Sequence, residues 1–134
     1  MIVLDSSFLV AFHNAGDVHH AAAEHLMKRL LDGEWGPALL LEYVFLEVVT
    51  VLRMRLDLPT AASVGEILLR AREVEFVPCS EVFLQAFDVF RLERGTTLSF
   101  ADAAITAVAR RHPPGFVATF DADFEGLEAV TVVA

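Results

Sequence analysis

One cysteine and one lysine stand among the 134 residues, and each scarcity closes off a line of chemistry. Cys79 alone cannot form an internal disulfide or a thiolate zinc site, so a reducing compartment, the cytoplasm, is the expectation. It reads as a small buried residue at a strand end. Lys28 is the only lysine beside nine arginines, and the formal net charge is −9. That leaves no broad basic surface of the kind that grips nucleic-acid backbones. It still allows an enzyme that meets phosphates through bound Mg²⁺ or Mn²⁺ and a few arginines, and it suits a basic protein partner. Long uncharged apolar runs are missing too. The most apolar stretch, Pro37 to Leu52, is broken by Glu42 and Glu47, whereas a membrane span needs ~18 or more largely uncharged residues. Met1 leads straight through three apolar residues to Asp5, with no signal-peptide pattern.

Apolar side chains are plentiful instead. The hydrophobic share is 55% and the mean hydropathy +0.53, high enough that part of this surface is expected to serve a partner. No repeat, low-complexity stretch or linker interrupts the chain, which reads as one domain over residues 1–134.

Ile2 to Leu4 is a short apolar run ending at an acid, a buried strand that delivers Asp5 to its C-terminal end. Ser6-Ser7-Phe8 opens a short helix, and Asp17 precedes a helical stripe from Val18 to Leu31. Gly36-Pro37 marks a loop, after which Leu39 to Arg55 reads as one long helix, apolar on nearly every face. Leu58-Pro59-Thr60 reads as a break before a helix over Ala61–Arg72. Strands are expected at Val74–Val77, Phe116–Phe120 and Ala129–Val133. Helices are expected from a Ser80 cap through Arg94 and from Phe100 to Arg111. Short strands alternating with helices imply an α/β fold, a mainly parallel sheet with helices on both faces. In such folds a site lies beyond the carboxyl ends of the strands, where Asp5 and Asp121 fall.

Mg²⁺ and Mn²⁺ favour hard oxygen ligands, and phosphodiester hydrolysis by such ions calls for several carboxylates drawn from separate elements. Glu47 has Tyr43, Val44, Thr50 and Val51 one turn away, a face expected to be unsolvated, where a carboxylate needs a partner or a metal. Glu42 lies about 140° around the helix from it and reads as a helix-start charge. Asp102 equally suits the first turn of a helix, and Asp121 and Asp123 equally suit a turn after a strand. His19-His20 reads as a helix start, since adjacent helical positions face apart. Arg53, Arg55, Arg110 and Arg111 read as solvated helix ends, and Trp35 as a loop packer.

Four segments, in this order, carry the acids: Ile2-Val3-Leu4-Asp5-Ser6-Ser7, Tyr43-Val44-Phe45-Leu46-Glu47, Leu98-Ser99-Phe100-Ala101-Asp102-Ala103 and Ala118-Thr119-Phe120-Asp121-Ala122-Asp123-Phe124. As a series spanning the chain they resemble the motifs of the PIN-domain family, and the short overall length resembles its VapC-type toxin ribonucleases. The resemblance implies a three-layer α/β/α sandwich and a Mg²⁺- or Mn²⁺-dependent endoribonuclease. It carries over Asp5, Glu47, Asp102 and Asp121 as catalytic metal-site acids, with Asp123 in support. Ser6, Ser99 and Thr119 match small polar positions beside the acids, where simple capping is the alternative. The expected partners are an RNA substrate, a small basic antitoxin and a second copy of the chain, with no membrane. Three rivals remain in view. A phosphoacceptor receiver domain would need an acidic pair after the first strand and a late lysine, and the chain has neither. A non-catalytic PIN-like module would not need four acids. An RNA-processing PIN nuclease outside any toxin pair would share them all.

Overall fold

The computed structural model describes residues 1–93 and 95–134. Five strands form one parallel sheet: β1 (Ile2–Leu4), β2 (Ala38–Leu41), β3 (Val74–Val77), β4 (Phe116–Ala118) and β5 (Thr131–Val133), in the order β3-β2-β1-β4-β5. Six α-helices connect them: α1 (Ser6–His13), α2 (His20–Leu31), α3 (Glu42–Arg55), α4 (Leu58–Arg70), α5 (Cys79–Leu92) and α6 (Phe100–Arg110). The central strands are apolar throughout and buried on both faces, as Ile2, Val3, Leu4 and Ala38 to Leu41 all are. The fold is therefore α/β and PIN-like, as the segment pattern implies.

The chain steps outward from β1 through β2 to β3, then returns across the sheet to β4 beside β1 and continues to β5. Connections leave β1 and β4 in opposite directions. The link from β4 to β5 is only the 3₁₀ turn Ala122–Phe124, and a crevice lies over the C-terminal ends of β1 and β4. Pairing in register (Ile2 with Phe116, Val3 with Val117, Leu4 with Ala118) brings Asp5 and the residues after β4 to that crevice.

Several elements differ from the sequence reading, and β4 and β5 are each two residues shorter than expected. The run expected as one helix from Leu39 is a strand followed by a helix, with α3 starting at Glu42. Four buried apolar residues carry no periodicity of their own, and they merge with the apolar face of the following helix. Leu58-Pro59-Thr60 does not break the chain but forms the first turn of α4, where proline loses no hydrogen bond. Asp57 caps that turn, its Oδ1 accepting from the Thr60 N–H at 2.7 Å. The cap expected from Ser80 is absent as well. Glu42 Oε1 accepts the Cys79 N–H at 3.0 Å, so an acid at the start of α3 caps α5. Cys79 itself opens α5 and is half-buried, not a buried strand-end residue. The expected end of that helix at Arg94 lies outside the described residues, and α5 runs to Leu92. Among the described residues no helix is long and apolar enough to cross a membrane.

Gly115 ties β5 to the sheet. It sits at φ +77°, its carbonyl accepts the Thr131 N–H at 2.8 Å, and an added Cβ would collide with the Ala129 carbonyl oxygen. Gly115→Ala is expected to destabilise the fold by about 2 kcal/mol or more, because both the backbone conformation and the space are wrong for a side chain. Urea denaturation of the two proteins measures it, and a loss under about 0.5 kcal/mol would contradict this packing.

Candidate active site

Asp5 is the first residue past β1 and is buried, at 3% exposure. A buried carboxylate needs donors, and two hydroxyls supply them. Ser7 Oγ and Thr119 Oγ1 each donate to Asp5 Oδ2 at 2.7 Å, and the two hydroxyl oxygens lie 3.1 Å apart. Their lone pairs are used in turn, Ser7 Oγ accepting the Phe120 N–H and Thr119 Oγ1 the Asp121 N–H, both at 2.9 Å. This network locks the end of β1, the start of α1 and the end of β4 together. Among the described residues no donor reaches Asp5 Oδ1.

Ser6 faces the other way and donates to Glu47 Oε1 at 2.5 Å. Glu47 is exposed, which corrects the expectation of an unsolvated face. Of the residues one turn away only Val44 is fully buried, while Glu47, Val51 and Arg55, four apart, form a stripe of α3 that borders an open cleft. Asp102 lies in the first turn of α6 in a reciprocal cap: its N–H donates to Ser99 Oγ and its Oδ2 accepts the Ser99 N–H, both at 3.1 Å. Asp121 caps the 3₁₀ turn Ala122–Phe124, with Oδ1 accepting the Asp123 N–H at 2.9 Å. Capping and turn roles are therefore real for both acids. Each cap uses one carboxylate oxygen and leaves the other free.

These pieces meet in one cleft of about 430 Å³ lined by Asp5, Ser6, Glu47, Ser99, Asp102 and Asp121. Carboxylate oxygens of Asp102, Asp121 and Asp123 lie within 4.8 Å of one another, while Asp5 and Glu47 stand outside that triplet. Asp123, expected only in support, is thus part of the tightest group, although it is exposed and lies outside the cleft lining. Glu42 is remote, engaged with α5. Ser7 escaped the sequence reading although it belongs to the first acidic segment.

Burial pushes the Asp102 carboxyl up to about 6, opposed by the Ser99 N–H and increased by the negative charge of Asp5 and Asp121. Hard oxygen donors, tightly spaced and carrying surplus negative charge, fit Mg²⁺ or Mn²⁺ and do not suit a soft metal.

The arginines divide. Arg110 donates to Glu93 Oε1 at 2.8 Å and to the Glu128 carbonyl, and Arg111 binds Gln85. Both brace the helix end. Arg55 lines the cleft and has no ion pair among the described residues. Trp35 packs its loop beneath Arg29, 4.8 Å from ring centre to guanidinium carbon.

The crevice at the switch between two parallel strands is thus lined by acids from four elements. The PIN domain family model matches residues 2–129, and the chain belongs to that family. Among solved structures it resembles the crystal structure of Mycobacterium tuberculosis VapC20, described as a sarcin–ricin loop cleaving toxin. The two share 28% identity, with a TM-score of 0.78 over 97% of this chain and 98% of that one. No curated protein matches the chain.

The raised Asp102 carboxyl gives a signed prediction for metal-free protein. Unfolded, the group loses its proton near 3.8; folded, it keeps it to about 6. Between these values the folded state binds more protons, so stability falls as pH rises and stays reduced above about 6. Asp102→Asn keeps an oxygen for the Ser99 N–H and removes this loss. In chelator at neutral pH it should be more stable by about 1 kcal/mol, a figure discounted for partial exposure. Its stability should also be flatter across the acid range. Urea melts across pH test this, and a less stable Asp102→Asn would leave capping as the acid's whole role.

Proposed function

We propose that this chain is a divalent-metal endoribonuclease of the VapC toxin type. The observation that carries the reading is the convergence of Asp5, Glu47, Asp102 and Asp121 on one cleft in a PIN-family chain. The full-length likeness to a toxin that cleaves the sarcin–ricin loop supports the toxin class and an RNA substrate.

Asp102, Asp121 and Asp123 would hold Mg²⁺ or Mn²⁺, with Asp5 lining the same cleft. When bound, the ion supplies positive charge to the scissile phosphate and acidity to a water. Asp5 is kept in place by Ser7 and Thr119, so its second oxygen needs no rearrangement to serve the site. Glu47 is held through Oε1 by Ser6, which leaves Oε2 to take a proton from an attacking water. Ser99 fixes the rotation of Asp102 through the reciprocal cap. Arg55 offers the cleft's margin a cation for an RNA phosphate.

Two partners belong to the same proposal. A basic antitoxin segment would place an arginine among the carboxylates, excluding metal and substrate. A second copy would cover the exposed apolar stripe of α5, where Phe83, Phe87 and Phe90 stand about half exposed beside the still more open Leu84.

Purified protein with Mn²⁺ or Mg²⁺ should cut RNA internally and stop in chelator. Asp5→Asn, Glu47→Gln and Asp102→Asn should each lower the rate at least about 100-fold while remaining folded. Activity within about tenfold of wild type in any two of them would overturn the site assignment.

A further inference from the structure

The rim of the cleft carries an aromatic pair that the acid chemistry does not use. His19 and Phe120 lie ring over ring, centroids 4.7 Å apart and planes 7° from parallel. Both line the cleft beside Asp5, Asp102 and Asp121. Phe120 is the anchored member. It is half-buried, packs against Phe8 with centroids 6.4 Å apart, and its N–H is held by Ser7 Oγ, the hydroxyl that also orients Asp5.

His19 is the outer member and is exposed. Its backbone is fixed by Asp17 Oδ1, which accepts the His19 N–H at 2.8 Å. Next to it, His20 is fully engaged, its Nδ1 2.7 Å from the Ala11 carbonyl oxygen and its Nε2 3.2 Å from Glu24. The two histidines therefore have separate jobs: His20 ties α2 to α1, while His19 has no such tie. Among the described residues no hydrogen bond reaches the His19 ring and no second ring covers it. One face rests on Phe120, and the other meets solvent at the mouth of the acidic cleft.

A flat, pre-positioned π surface beside a phosphate-cleaving site matches the way proteins seat unpaired bases. Stacking accepts any base, but the base must be splayed out of a helix. We propose that the His19–Phe120 pair is a base-stacking subsite, seating one unpaired nucleobase on the outer face of His19 so that its backbone reaches the carboxylates. The subsite selects for single-stranded or looped RNA over duplex without reading sequence. Arg55 on the same cleft supplies a cation for the accompanying phosphate. This assignment rests on the nuclease reading and adds the pair of residues that would seat a base beside its acids.

The test compares wild type, His19→Ala and His19→Phe on a short single-stranded RNA carrying 2-aminopurine and on its duplex. Cleavage constants are measured in Mn²⁺, and fluorescence quenching reports stacking in chelator. His19→Ala should raise KM and the Kd about tenfold, lose the quenching and keep kcat within about threefold. His19→Phe should restore KM and quenching, because the ring face and not a ring nitrogen does the binding. Wild type should prefer the single strand, and His19→Ala should lose most of that preference. Four results would overturn the subsite: an unchanged KM in His19→Ala, a fall confined to kcat, a loss that His19→Phe fails to restore, or a lowered melting temperature that accounts for the loss. Those failures occur in a wild type that still cuts RNA. A wild type that neither binds nor cuts any RNA would instead sink the nuclease reading, and the subsite with it.

Discussion

The convergence of carboxylates over the ends of β1 and β4 is the constraint on which the site depends. Parallel pairing of the two strands fixes where Asp5 and Asp121 emerge, and the reversal of winding between them opens the crevice they share. Asp102 enters from the first turn of α6 and Asp123 from the turn after β4. Like charges held this close are unfavourable in the absence of a cation, and the upward displacement of the Asp102 carboxyl expresses burial first and the charges of Asp5 and Asp121 after it. Asp5, Glu47, Asp102 and Asp121 are each also anchored by a hydrogen bond to one carboxylate oxygen. Asp102 and Asp121 are caps as well as cluster members.

The hydroxyls turn this arrangement from a crowd of acids into an oriented set. The Ser7 and Thr119 hydroxyls aim one oxygen of Asp5 and the Ser6 hydroxyl takes one oxygen of Glu47, while the Ser99 backbone N–H takes one oxygen of Asp102. Each acid is left with a second oxygen that no donor occupies. Small polar residues beside the acids thus do more than cap helices, since they settle which lone pairs remain for chemistry.

Much of this was legible in the chain. The apolar run ending at Asp5, the cap pattern before Asp102 and the strand before Asp121 are local signals, and the structure realises each of them. Misreadings arose where locality fails. Ala38–Leu41 is a strand because it lies between β1 and β3, a fact that four apolar residues running into an apolar helix cannot announce. Glu47 was expected to be enclosed because its sequence neighbours are apolar, whereas the cleft exists only once α1 and α3 are side by side. Arg55 was read as a solvated helix end, although its i, i+4 spacing from Val51, and Val51's from Glu47, puts it on the acid's face. His19 and Phe120 are a hundred residues apart, and no pattern along the chain relates them.

The most direct test of a carboxylate centre built for a hard cation is a calorimetric titration of metal-free protein with Mn²⁺. Below about pH 6, where the raised Asp102 carboxyl still holds its proton, wild type should bind the ion with release of that proton. Binding should weaken at least about tenfold in Asp102→Asn and in Asp121→Asn, and it should be unchanged in Glu42→Gln, whose carboxylate caps α5. Absence of saturable Mn²⁺ binding by the folded wild type, or equal binding by wild type and the two aspartate variants, would contradict the account.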